Sequence, residues 1–430
     1  MKIIKVDIER VEQSIWGTFW EIQRGAPSAS PMSQYDHYAD SLESWSWPQA
    51  TVLVRIESDS GHSGIGWAED GVGAASCIIE RHLKRFVLGA DPSRTQLLWD
   101  QMFRASIPYG RKGAAIEAIS ALDLALWDLA GKIANKPVYS LLGGPCRRSV
   151  PAYASHLQPV EMEKFVEEAA AYAAEGYRAM KMRMPGSPKQ GSAGIRSNVD
   201  RVRAVREAIG YDIDLMVDAY MGWDLSFAIH MAKALEPYQI RWIEEPLLPD
   251  EIESYAELRR RSGIAIATGE HEFTRFGFQQ LIVRKAADIL QPDVHRAGGL
   301  TEMHRIATLA EAAGLEVVPH GFSGPAVHFA AAHSNCPLLE SLTTPVWASH
   351  LPSRDPLLLG ESEVIAGEVA LPEAPGLGVS INTNRLPDLS NWNEGMTPGE
   401  RIESATKHDR TNEPCLVANV GVEHCKRSEP

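Results

Sequence analysis

Three acidic residues close three apolar runs at equal spacing. Asp218 ends DLMVD, Glu244 falls in RWIEEP and Glu270 ends IAIATGE, with 26 residues from each to the next. That interval is close to one strand–helix unit of a barrel that spends about 250 residues on eight units. The three carboxylates then sit at one height on neighbouring strands, at the C-terminal rim where such barrels carry their active sites. Gathered at one point they repel each other severely unless a cation is present. Hard oxygen ligands suit Mg2+, which keeps positions open for substrate oxygens. Helix capping accounts for any one of these acids, but not for three in matching register.

The series continues around the ring. Asp293 ends ADILQPD, His320 ends EVVPH and Glu340 ends CPLLE. Neighbouring strand ends place Asp293 beside His320. A carboxylate there fixes the imidazole tautomer and stabilises its charged form, which makes a general base or acid near neutral pH. AMKMR carries Lys181 and Arg183, two residues apart and so on one side of their strand. Arg183 stays protonated and reads as a clamp for a carboxylate, or for an oxygen that develops charge. His271 follows Glu270 directly and is expected to touch substrate or support the ligand shell. Tyr220, two residues past Asp218, is expected to face the same mouth. Glu245 and Glu272 read as supporting or helix-start residues.

The elements that must position these side chains are legible as patterns. From residue 150, short apolar strands near 151–156, 178–183, 214–218, 239–244, 264–269, 287–292, 316–319 and 337–340 alternate with amphipathic helices such as EMEKFVEEAAAYAAEG. Repeated strand–helix units give a parallel sheet, and eight strands in about 200 residues favour a closed barrel. The first segment reads as α+β. It has a strand over 2–12, a strand pair over 50–57 and 63–68 turned at Asp59–Gly61, and helices over 74–87, 93–104 and 113–133. Between its first two strands runs a long loop, about 14–47, with Trp16, Trp20, Trp45 and Trp47. A loop of that length is a packed lid or an oligomer contact. The stretch 360–385 reads as folded and able to return to the first domain; the polar chain from Asn391 reads as a loosely ordered tail.

Composition narrows the classes further. The chain has 430 residues, 44% of them hydrophobic, and a formal charge of −14. No basic run of the kind that tracks phosphates is present, so nucleic acid is not an expected partner. No stretch of about 18 apolar residues predicts a membrane span, and MKIIKVDIERVEQ lacks the apolar core of a signal peptide. Five scattered cysteines, none in a CxxC pair, read as free thiols in a reducing, cytoplasmic setting.

As a set, the Asp218, Glu244, Glu270 series, WIEEP, QPDVHRAGG, VVPHG and ALDLALWDLAGKIANKPVYSLLGG resemble the enolase superfamily in its mandelate racemase-like branch, over roughly residues 1–385. The resemblance implies an α/β fold: a modified TIM barrel, (β/α)7β, over 146–354, with an α+β capping domain from 1–145 completed by about 355–390. The tail then covers 391–430. It implies Mg2+ as cofactor, bound by Asp218, Glu244 and Glu270, and abstraction of a proton α to a carboxylate with an enediolate stabilised by the metal. It makes His320, with Asp293, the base, and gives Glu340 a hydrogen bond to an enediolate oxygen. Lys181, Arg183, Tyr220 and His271 are its substrate-binding candidates.

Many members of the branch carry Lys-x-Lys on the second strand, where this chain has Lys181-Met182-Arg183. A racemase needs a base on each face; dehydration needs only one. GEHEF, PMSQY and SAGIRSNVD are similar to acid-sugar dehydratases, although Glu272 stands where those tend to carry a second histidine. The implied reaction turns an aldonate such as L-rhamnonate, L-lyxonate or L-mannonate into its 2-keto-3-deoxy acid. Epimerisation, racemisation or cycloisomerisation of a carboxylate is the alternative, and a non-catalytic sugar-acid binder a further one. The expected partner is a small acid sugar, with neither nucleic acid nor membrane, in a symmetric homo-oligomer.

Overall fold

The computed structural model describes residues 1–12, 28–38, 48–157, 161–343 and 356–392. The four loop tryptophans and almost all of the tail expected from Asn391 lie outside the described residues. Strands β1 (Ile3–Val11), β2 (Thr51–Ser58) and β3 (Ser63–Glu69) form an antiparallel sheet. Helix Ala114–Ala134 lies across it and buries Ile116, Ile119, Leu122 and Leu126 against Val52, Val54 and Ile56. The helix comes close because β3 carries glycines where it crosses. A Cβ on Gly64 or Gly66 would stand 2.2 Å from the carbonyl oxygens of Ala125 and Ala121.

The barrel begins at β4 (Ser149–Leu157). It continues through β5 (Ala179–Arg183), β6 (Asp214–Asp218), β7 (Ile240–Glu244), β8 (Ala265–Thr268), β9 (Ile289–Leu290), β10 (Glu316–Val317) and β11 (Leu339–Ser341). Each from β4 to β9 pairs parallel with the next, and β11 pairs parallel with β4. One α-helix follows each of the first seven strands. This is the expected α/β barrel with seven helices beside a capping sheet. The ladders of β9 and β10 are shorter than the patterns at 287–292 and 316–319 suggest. Pro292 and Pro319 lack the N–H that would extend them. Past the prolines the two chains meet once more, as an isolated parallel bridge between Asp293 and His320.

The returning segment ties both parts together. Strand β12 (Glu368–Ala370) adds antiparallel to β4, while Leu377 N–H donates to Asp128 of helix Ala114–Ala134 at 2.8 Å. Among the described residues no helix is long and apolar enough to cross a membrane. Cys77, Cys146 and Cys336 are free thiols.

The barrel interior is stacked in layers by the two-residue period of its strands. One layer is apolar, with one side chain per strand: Tyr153, Ala179, Met216, Trp242, Ala267, Ile289, Val318 and Leu338. Two residues further along the same strands the interior turns polar, at Ser155, Lys181, Asp218, Glu244, Gln291, His320 and Glu340, with Gly269 the exception. The change happens within one pleat of backbone and sets the floor of the site.

Candidate active site

Lys181 lies at the centre of that polar layer, 3% exposed. Its Nζ donates to Glu244 Oε1, sits 2.9 Å from Glu340 Oε1 and 3.9 Å from Asp218 Oδ2. Burial alone favours a neutral amine, but the charges of Glu244 and Glu340 hold the ammonium well above its usual range. Arg183, one pleat higher, reaches Asp218 Oδ2 at 3.5 Å and covers the Tyr220 ring at 4.6 Å. Residues 181 and 183 thus do face the same acids.

The three strand-end acids differ in their surroundings. Asp218 Oδ1 accepts the Tyr220 N–H at 2.8 Å, whereas its Oδ2 is buried and accepts no hydrogen bond. Glu244 Oε2 accepts from Trp242 Nε1 at 2.9 Å and Gln291 Nε2 at 2.6 Å. Burial pushes the Glu244 carboxyl up to about 7, against the pull of Lys181 and with the help of Asp218 and Glu340. Glu270 stands beyond the end of β8. Gly269, at φ 140, redirects the chain there, and a Cβ would meet Phe278 at 2.8 Å and Gln291 N at 3.0 Å. Burial would raise Glu270, but His320, His271 and Arg296 hold it ionised, far below the usual carboxylate range.

On the other side of the mouth His320 Nδ1 lies 2.7 Å from Asp293 Oδ2, and its Nε2 faces Glu270 Oε2 at 3.5 Å. Asp293 Oδ1 accepts the His295 N–H at 2.6 Å. Burial opposes the imidazolium, yet Glu270, Glu340 and Asp293 raise His320 to about 10. Glu340 accepts from Ser155 Oγ and from Gly321 N–H at 2.5 Å, and Lys181 Nζ lies 2.9 Å away; burial would raise it, but the charges of Lys181 and His320, with these hydrogen bonds, lower it to about 2.

His271 does not point at an empty space. Its Nδ1 is 2.8 Å from Glu245 Oε2 and 3.7 Å from Glu270 Oε1, and its ring meets Tyr220 edge-on at 5.9 Å. Glu245, Glu270 and His271 are the described trio whose ligand atoms fall within 4.8 Å of one another. Geometry alone would make that trio a metal site. The Asp218, Glu244, Glu270 set fits a hard divalent cation better: it is all oxygen, and it contains the buried oxygen of Asp218 that accepts no hydrogen bond. In the other trio the Glu245 carboxylate is already satisfied by His271.

The sequence pattern brought Asp218, Glu244, Lys181, Arg183, Asp293, His320 and Glu340 to one rim, and the structure does the same. Missing from the pattern were Ser155 and Gln291, which the period-two step from the apolar layer locates. Also missing was Arg296, in a loop without period. Its NH1 is 3.3 Å from Glu270 Oε1 and its NH2 is 3.3 Å from Glu69 Oε2 of the capping sheet.

A parallel barrel whose C-terminal rim gathers acids, a lysine and an Asp–His pair beneath a capping domain has the architecture of a barrel enzyme. A family model described as enolase C-terminal domain-like matches residues 164–385, and one for the mandelate racemase / muconate lactonizing enzyme N-terminal domain matches 44–143. The chain belongs to the enolase superfamily. It is 41% identical, over 82% of its length and 89% of the relative's, to an L-rhamnonate dehydratase of Saccharopolyspora erythraea. A crystal structure of rhamnonate dehydratase from Gibberella zeae complexed with Mg superposes with a TM-score of 0.81 at 35% identity, over 90% of this chain and 95% of that one. A racemase from Streptomyces coelicolor with bound magnesium gives a TM-score of 0.75 at 31% identity, over 90% and 99% of the two chains.

Proposed function

We propose that the protein is a Mg2+-dependent sugar-acid dehydratase that converts an aldonate such as L-rhamnonate, L-lyxonate or L-mannonate into its 2-keto-3-deoxy acid. The observation that carries this reading is the single Asp293–His320 pair, with Nδ1 at 2.7 Å from the carboxylate and Nε2 turned to the mouth. Opposite it stands Lys181, its ammonium tied to Glu244 and Glu340 in the floor of the site. One face then has a group able to exchange a proton, and one face is enough for dehydration.

In this reading Asp218, Glu244 and Glu270 hold Mg2+, which when bound supplies the positive charge that stabilises an enediolate. Arg183 and Lys181 bind and orient the substrate carboxylate. Glu270 is the first of the charges that hold His320 protonated; a cation bound there would offset that charge, and the neutral His320 Nε2 would take the C2 proton. The same proton then goes to the departing C3 hydroxyl, the C2–C3 enol forms as the C3–O bond breaks, and tautomerisation gives the 2-keto acid and water. Glu340 is ionised and fully accepting, so it serves a developing oxygen through Lys181, the donor that lies between. Tyr220 and His271 form the wall beside Glu270 and contact substrate hydroxyls.

His320→Asn removes the proton carrier and keeps the shape. Turnover of the preferred aldonate should fall by about 10³-fold or more while Mg2+ binding persists. Near-normal 2-keto acid formation in that variant sinks the proposal. The fold shared with a racemase makes epimerisation the second reading. Exchange of the C2 hydrogen with solvent deuterium, without loss of water, would favour it.

A further inference from the structure

Two residues of the capping segment, Lys112 and Glu69, make ion pairs to the barrel rim that end in different places. Lys112, just before helix Ala114–Ala134, reaches Glu272 at 2.9 Å and Asp250 at 3.5 Å. Glu272 in turn accepts the Phe273 N–H at 2.7 Å. The other pair begins at Glu69, the last residue of β3, and ends on Arg296 at 3.3 Å. Arg296 is 8% exposed, and its fork is shared. NH2 faces Glu69, NH1 lies 3.3 Å from Glu270 Oε1 and 3.4 Å from the Glu270 carbonyl, and Nε is 3.9 Å from Asp293 Oδ2. The preceding residue, His295, brings Nδ1 to 3.1 Å from the Trp67 carbonyl, so β3 meets this loop twice.

We propose that Arg296 is a positioning residue that holds Glu270 in its ligand geometry, and that Glu69 of the capping sheet fixes Arg296 for that task. The physical basis is the planar guanidinium. It can face a cap carboxylate along one edge and a rim carboxylate along the other, which a lysine ammonium on a flexible stem cannot do with the same register. Glu270 needs such a hold because it stands beyond the β8 ladder, after a glycine at φ 140, with no strand pairing of its own. Glu69 belongs to a separate sheet, so seating of β3 on the barrel rim and the setting of Glu270 become one event. The Lys112–Glu272 pair joins the same two parts without touching Glu270, and so serves as an internal control.

The inference rests on the reading of Glu270 as a Mg2+ ligand. The test is Mg2+ affinity, by calorimetry on the full chain, alongside kcat and KM for the preferred aldonate. Glu69→Gln should weaken Mg2+ binding and lower kcat by about tenfold each, with KM within about twofold, as expected for support of a ligand from its outer contacts. Arg296→Lys should do the same or more, and the double variant should lose no more than Arg296→Lys alone. Glu69→Asp should recover part of the loss. Lys112→Met should leave Mg2+ affinity unchanged. An unchanged Mg2+ Kd in Glu69→Gln, or equal weakening in Glu69→Gln and Lys112→Met, overturns the inference. Glu270→Gln separates the two levels: loss of Mg2+ binding there upholds the ligand reading whatever Glu69 does. Retention there overturns that reading, and this inference with it.

Discussion

The barrel mouth and the seam where residues 114–141 pack on the barrel both bury polar groups and treat them in opposite ways. At the mouth, Lys181, Glu270, Asp293, His320 and Glu340 are all pushed toward their charged forms, because each has an opposite charge against it. At the seam, burial wins. It raises Asp123 to about 7 and lowers His328 to about 4, toward neutral forms held by backbone groups. Burial is common to both regions; counter-charge is what differs. A buried group kept neutral is part of the packing, while a buried cluster kept charged stores an electrostatic field that a substrate can use. Glu244 and Glu245 are the informative exceptions, both raised by burial against the nearest cation. Glu244 rises to about 7 in spite of Lys181, because burial and the neighbouring charges of Asp218 and Glu340 outweigh it.

The comparison breaks most visibly with the same substitution made at two aspartates. Asp293→Asn at the mouth removes the charge that orients and stabilises the His320 imidazolium. We expect kcat to fall by about 10³-fold, with the fold and Mg2+ binding retained. Steady-state kinetics beside a Mg2+ titration measures this. Activity within about tenfold of the parent would mean that the Asp293–His320 contact of 2.7 Å is structural.

How much of this was legible beforehand follows from the same physics. The interval of 26 residues and the apolar runs located Asp218 and Glu244, because a barrel repeats its unit and a strand alternates its faces; Glu270 falls one residue past that step, which lands on Gly269. His320 and Asp293 were readable for the same reason, although the ladders stop short at Pro292 and Pro319. Glu340 was placed correctly, but its bonding to Ser155, Gly321 and Lys181 depends on side-chain rotamers across the ring, on which periodicity is silent. Arg296 and Glu69 come from a loop and from another sheet, and their encounter is a product of docking. His271 was tied to substrate or to the ligand shell; its partner Glu245 follows from the turn at residue 245, at φ 38, which local pattern does not announce.

His328 gives the intermediate effect. Its Nδ1 accepts the Tyr139 N–H at 3.2 Å and its ring stacks on Tyr139 at 5.6 Å, so it must be neutral. Its pKa is lowered from 6.5 to about 4, by burial first. The unfolded chain therefore binds a proton that the folded chain refuses. This stability is present above pH 6.5 and is lost as pH falls toward about 4, by about 3 kcal/mol in all. Urea unfolding at pH 7 and pH 4.5 should show the loss, and His328→Asn should shrink it. An acid loss of the same size in the variant would assign it elsewhere.

Asp123→Asn is the smallest change and the sharpest test of the comparison. Asp123 Oδ2 accepts the Thr301 N–H at 2.9 Å, beside Gly299, where a Cβ would come within 2.4 Å of the same oxygen. Its other oxygen has no hydrogen-bond partner, which suits a protonated acid. Burial raises the pKa from 3.8 to about 7, against the hydrogen bonds from Thr301. A proton is thus held by the folded chain and not by the unfolded one, so the contribution is full below pH 3.8 and fades as pH rises through about 7. An asparagine has the shape of the protonated acid and nothing to titrate. At pH 5 it should change unfolding free energy by no more than about 1 kcal/mol. Between pH 5 and pH 8 the parent should lose stability that the variant keeps. Parallel pH profiles for the two proteins would show that the seam, like the mouth, holds its aspartate charged, and the contrast between the regions would then fail.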